Sequence, residues 1–118
     1  MDGEPLRYSL HQGPLTLHVR HAAAGDCRVE LSGRIDGATC HVLRAVLLAE
    51  VEQGPVVLDG SAVDHFASAG VRVVREAAEQ ATAHEQTLRV TPSSQKVVAA
   101  FDRSASEPPP GLLDAPAD

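Results

Sequence analysis

PVVLD, residues 55–59, is a short and nearly continuous apolar run set between two segments of helical spacing. A run of that length and character reads as a central strand covered on at least one face. Upstream, CHVLRAVLLAEVEQ (40–53) places Leu43, Val46, Leu47 and Val51 on one stripe, and Gly54 with Pro55 end it. Downstream, from about Ala69 to His84, Val71, Val74, Ala78 and Ala81 recur at spacings of three and four, while Arg72, Arg75, Glu76 and Glu79 point outward. TLRVT (87–91) then reads as another strand. A strand, a crossover helix and a second strand imply parallel neighbours joined right-handedly. The economical architecture is an α/β sandwich with a mixed sheet.

The flanking segments fit that frame. LTLHV (15–19) and CRVELSG (27–33) both alternate apolar and polar residues around the turn RHAAAGD, which predicts a hairpin. LRYSL (6–10), within the first twelve residues, reads as a short edge strand or an ordered arm. Asp36 and Thr39 are candidates to cap the helix that follows the hairpin. Pro92 and Ser93 open a last helix, SSQKVVAAFDR, with Val97, Val98 and Phe101 turned to the sheet. One domain therefore spans residues 1–103. From Ser104, SASEPPPGLLDAPAD is Pro-rich and aperiodic and reads as a flexible tail, in which Leu112 and Leu113 are the residues able to dock. With no Trp, one Tyr and two Phe, the core has to be built from Val, Leu and Ala.

Ten Lys and Arg against sixteen Asp and Glu give a net charge of -6, which argues against nucleic acid or an anionic membrane as the main partner. No apolar run approaches a membrane span and no signal peptide is visible, so a cytoplasmic chain is expected. Cys27 and Cys40 stand outside any CxxC pattern and read as reduced, buried thiols. His18 and His21 are a close pair without a surrounding ligand cluster, so neither a metal nor another cofactor is expected.

The stretch DHFASAG (64–70) carries the question of function, because it sets Ser68 between two alanines at the mouth of a predicted helix. Three readings fit. As an N-cap, the serine oxygen would accept a bond from an orphan backbone N–H, worth about 1 kcal/mol. As a nucleophile it would need a GxSxG elbow, but Phe66 stands at the first position and eight residues separate it from the end of PVVLD. As a switch, a phosphoryl group would add nearly two negative charges where helix-opening amides tolerate them, while a partner burying the hydroxyl would meet a dianion. Asp36, ahead of Gly37, fits turn chemistry as readily as a contact role.

RVELSGRIDGAT, PVVLDGSAVDHFASAGVRVV and LRVTPSSQKVVAAFD, in that order, resemble successive blocks of STAS domains, particularly the bacterial anti-sigma-factor antagonists. The resemblance covers about residues 15 to 103. It implies a STAS-like fold with a mixed, mostly parallel sheet of four to five strands and three to four helices. It also implies a non-enzymatic regulator that binds a histidine-kinase-like serine kinase acting as anti-sigma factor. Phosphorylation of Ser68 would release that partner and a serine phosphatase would restore binding. Carried over by position, the contact surface is Asp36, Ala67, Ser68, Ala69, Gly70 and Arg72, with Arg75 beside it. Ala67 stands where the family usually has aspartate, and Ala69 where a second hydroxyl is common. A constitutive scaffold or a subunit of a larger, transporter-associated assembly is the alternative that Ala67 favours. A small-ligand or nucleotide sensor using the helix mouth is the third, lacking a Gly-rich loop.

Overall fold

The computed structural model describes residues 6–21, 26–91, 93–103 and 112. Five strands and three helices follow in the order β1 (Leu6–Gln12), β2 (Leu15–His21), β3 (Cys27–Ile35), α1 (Cys40–Val51), β4 (Val56–Phe66), α2 (Ser68–Ala83), β5 (Leu88–Val90) and α3 (Gln95–Arg103). The sheet order is β1-β2-β3-β4-β5. β1 and β3 run antiparallel to β2, whereas β3, β4 and β5 are parallel. The predicted α/β sandwich with a mixed sheet is what forms. LRYSL is an edge strand, and the β2–β3 hairpin has the expected partners.

Alternation decides the faces. Leu15, Leu17, Val19, Cys27, Val29, Leu31, Val56 and Leu58 are at most 5% exposed, and the helices bring Leu43, Leu47, Val51, Val71, Val74 and Val97 onto them. The residues in between, including His18, Arg20, Arg28, Glu30 and Asp59, are only half-buried, so the second face of the sheet meets water. There Arg20 donates to Glu30 at 3.0 Å and Arg28 bonds both Glu30 and Asp59, an ion-pair ladder running across three strands. Burial pushes the Asp59 carboxyl up, but bonds from the Ser61 backbone N–H, the Ser61 hydroxyl and Arg28 outweigh it and hold the carboxyl below its ordinary value. Among the described residues no helix is long and apolar enough to cross a membrane. None of them forms a His, Cys, Asp or Glu group able to hold a metal. Cys27 is buried and Cys40 half-buried, both as free thiols.

The structure corrects the expected elements at two places. β4 does not stop at Asp59 but runs to Phe66, so the strand meets α2 almost directly. Asp59, Gly60 and Ser61 form a local kink within it, in which Asp59 Oδ1 accepts the Ser61 N–H and hydroxyl while the ladder to β3 shifts register. Second, Thr39 precedes α1 but makes no side-chain cap; its hydroxyl accepts the Asp36 N–H and donates to the Arg34 carbonyl. At the tail, Leu112 is one of the two residues expected to be able to dock. Leu112 is 1% exposed and its carbonyl accepts the Val90 N–H at 3.0 Å, on the outer edge of β5. Residues 104–111 and 113–118, with Leu113 among them, lie outside the described residues, as does Pro92.

β5 pairs only with Val56–Leu58, and beyond that point α3 takes the place of a strand beside β4. At one end the fully buried Ser94 accepts the Gly60 N–H through Oγ at 2.7 Å and bonds Thr91 Oγ1 at 2.7 Å. At the other, Arg103 Nη2 donates to the Phe66 carbonyl at 3.2 Å. Ser94→Ala leaves a buried N–H without its acceptor, so a loss of about 1–3 kcal/mol is expected in urea denaturation, against almost none for the exposed Ser93→Ala.

Candidate functional site

The site is built where β3 and β4 end side by side. The Ala67 N–H donates to the Ile35 carbonyl at 2.9 Å, which ties the start of α2 to the turn that begins at Asp36. That bond holds Ala67 extended (φ -86°, ψ 170°), and the chain turns helical at the next residue. Ala67 is therefore the N-cap, with no side-chain hydrogen bond, and Ser68 is the first helical residue. The cap reading of Ser68 is overturned: a first-turn side chain points away from the amides that a cap serves. Ser68 is exposed, between half-buried Ala67 and Ala69.

Asp36 is locked by its own turn. Its Oδ2 accepts Arg34 Nε at 2.9 Å and its Oδ1 accepts the Ala38 N–H at 2.9 Å. The Arg34 bond, followed by the Ala38 N–H, holds the carboxyl below its ordinary value. Asp36 thus stays ionised and fixed in direction one backbone bond away from Ala67. Arg72, four residues after Ser68, is exposed one turn further along α2. Beyond it Arg44 makes a two-pronged bond to Glu76 at 2.8 Å for each prong, joining α1 to α2 and lowering the Glu76 carboxyl. The pair bridges the two helices at the surface on the same side as Arg72.

Gly70 does not belong to that surface. It is buried, and a Cβ there would sit 2.7 Å from the Phe66 ring and 2.8 Å from Ile35 Cγ2. Its smallness lets α2 settle on the ends of β3 and β4; it does not open the backbone to a partner. The distance argument against a nucleophile elbow also falls, since β4 ends at Phe66. The objection that Phe66 occupies the first glycine position of GxSxG stands. Two groups that sequence reasoning missed complete the site: Arg103, which anchors α3 at Phe66, and Ile35, whose carbonyl sets the N-cap. Neither carries a local signal, because both act across more than thirty residues of chain.

A concavity of about 180 Å³ lies on the open face between β3 and β4, lined by His18, Glu30, Ser32, Asp59 and Ser61 among others. It is remote in register from Ser68, and its carboxylates are taken up by the ion-pair ladder.

Comparison with known proteins bears on the fold and the family. No curated protein matches the sequence. Among solved structures, the anti-sigma factor antagonist SpoIIAA in its unphosphorylated form superposes with a TM-score of 0.63 at 17% identity, over 85% of this chain and 88% of that one. The STAS-domain antisigma-factor antagonist from Rhodobacter sphaeroides gives 0.58 at 13% identity, over 72% and 91%. At those identities the likeness is one of fold. The family described as "Mlab, STAS domain" matches residues 18–107, from within β2 to beyond α3. That match spans well over half of the sequence, and the protein belongs to the STAS domain family.

Proposed function

We propose that the protein is a cytoplasmic, non-enzymatic anti-sigma-factor antagonist that docks a histidine-kinase-like serine kinase through the mouth of α2. Phosphorylation of Ser68 by that kinase ends the docking, and a serine phosphatase restores it. The observation that carries the reading is Ser68 exposed on the first residue of α2, between two half-buried alanines and beside the Asp36 turn. Such a patch is neutral at its centre, with Asp36 and Arg72 as the charged groups near it. A partner that covers the hydroxyl desolvates it cheaply, whereas a dianion at the same point has to be stripped of water. Packing beneath is untouched, because the Ser68 side chain faces away from the core.

The experiment is a pulldown with the co-encoded kinase. Ser68→Asp is expected to weaken capture by about tenfold or more, since burying one unpaired charge costs upward of 1.4 kcal/mol. Ser68→Ala should bind like the parent and should abolish phosphate incorporation from ATP. Equal capture of all three proteins would sink the switch.

Ala67 favours a second reading. With no carboxylate at the N-cap to orient the hydroxyl or the kinase, the same edge would serve a constitutive scaffold or a subunit of a larger assembly. In that case Ser68 stays unmodified after incubation with ATP and kinase, and Asp36→Ala still weakens the native complex.

A further inference from the structure

Arg20, Arg28, Arg34 and Arg44 each hold a carboxylate. Arg72 and Arg103 hold none among the described residues, although the chain has sixteen acidic residues against ten basic ones. For Arg72 the reason lies on α2. Ser68, Arg72 and Glu79 are exposed and Glu76 half-buried along one stripe of the helix, while Val71, Val74 and Ala78 turn inward. Glu76, four residues after Arg72, is the carboxylate that helical spacing would give it, but Arg44 of α1 takes both Glu76 oxygens at 2.8 Å. The neighbour left to Arg72 at that spacing is Ser68, four residues before it. An anion placed N-terminal to a cation is also the favoured order for such a pair.

Arg103 approaches the same residue from α3. Its Nη2 donates to the Phe66 carbonyl, two residues before Ser68, which is about 7 Å of chain at full extension. The Ala67 N–H points to β3 and the Phe66 carbonyl to the other side, so α3 reaches the mouth of α2 from the flank that β3 does not occupy. A guanidinium has several N–H donors, and the bond to Phe66 engages one of them. Arg103 is otherwise exposed to solvent.

We propose that Arg72 and Arg103 receive a phosphoryl group on Ser68, one from along α2 and the other from α3, an inference that rests on Ser68 being the modified residue. The neutral hydroxyl leaves both guanidinium groups to solvent or to a partner. A dianion at the same point has the amides of the first turn of α2 and two guanidinium groups as donors, all supplied by the domain itself. The switch then acts twice. Negative charge is added at the centre of the docking patch, and Arg72, a contact group of the unmodified form, is withdrawn from the partner by pairing within its own helix. The core takes no part in this, because Ser68, Arg72 and Arg103 are all exposed.

Phosphoserine incorporated at position 68 of the full chain during translation, without any kinase, allows the test by phosphorus NMR titration. Cations beside the phosphate favour its dianion, so the second ionisation, at about 6 for a free phosphoserine, is expected about half a pH unit or more lower. Arg72→Gln and Arg103→Gln should each reverse part of that shift, and the double variant more than either. Asp36, Asp64 and Asp102, the carboxylates on the adjoining turn, strand and helix, are present in every variant and drop out of the comparison. Arg89→Gln removes the same charge from β5, which pairs with the opposite end of β4, and should leave the titration unchanged. Identical titrations of the parent and both site variants overturn the proposal, and a shift in only one of them overturns the pairing of the two arginines. An equal shift in Arg89→Gln also overturns it, since net charge alone would then be responsible. Failure of the kinase to modify Ser68 would sink the switch but not this result, because the phosphate is installed independently of it.

Discussion

Gly33→Ala is expected to lower the stability of the domain by about 3 kcal/mol or more, seen as a melting temperature reduced by roughly 10 °C or more. Two costs coincide there. The backbone at Gly33 has φ +94°, a conformation an L side chain adopts only with strain of about 1–2 kcal/mol. In addition an added Cβ would meet the Pro14 carbonyl oxygen at 1.8 Å, so β2 and β3 could not keep their present approach where Leu15 pairs with Gly33. Gly13 separates the two terms. It also has positive φ, at +56°, but nothing lies within 4 Å of its missing Cβ. Gly13→Ala should therefore cost only the backbone term, about 1 kcal/mol. Thermal melts of the two variants that coincide would show that the close approach at Pro14 carries no weight.

Gly33 also shows how far the sequence could be read. Its place at the end of CRVELSG is visible as a strand boundary, but the residue is there because a hairpin backbone passes against it, which only the folded chain reveals. The helices were legible because their apolar stripes are long: Leu43, Val46, Leu47 and Val51 all turn inward as their spacing predicts. β4 was half legible. Asp59, Gly60 and Ser61 have turn chemistry and use it, yet the strand continues past them because β3 keeps pairing up to Ile35 and Phe66. At the site, the sequence placed Ser68 at the mouth of a helix, whereas neither its exposure nor its rank as the first helical residue followed from the apolar stripe, which runs back from Val71 to position 68 at a spacing of three. The N-cap is set by a bond from Ala67 to Ile35, and no spacing rule between residues 64 and 70 contains that partner. Asp36 was legible in its turn role, since its Oδ1 takes the Ala38 N–H two residues on. The docking of Leu112 on β5 was legible only as an apolar residue in a tail otherwise poor in them.

Phe66→Ala is expected to cost about 3–5 kcal/mol, close to what a domain of this size can lose and still fold. Phe66 is 1% exposed, in a core that has only one other phenylalanine, and its ring lies under the first turn of α2. Its removal leaves a cavity against Gly70 in the first turn of α2, the turn that Ser68 opens, so docking of a partner should weaken even though no exposed group has changed. The contact with Gly70 makes the claim quantitative. In the parent, Gly70→Ala drives a methyl to 2.7 Å from the Phe66 ring, an overpacking that costs about 1–3 kcal/mol. In the Phe66→Ala background that methyl enters the vacated space, and the second change should cost less there, with Ile35 Cγ2 at 2.8 Å limiting the recovery. A double-mutant cycle by urea denaturation should accordingly give a coupling of about 0.5–3 kcal/mol, with the double variant more stable than the sum of the singles. Strict additivity would mean that the ring and the glycine do not meet, and that α2 is positioned over the strand ends by its N-cap bond to Ile35 and its other buried residues rather than by this contact.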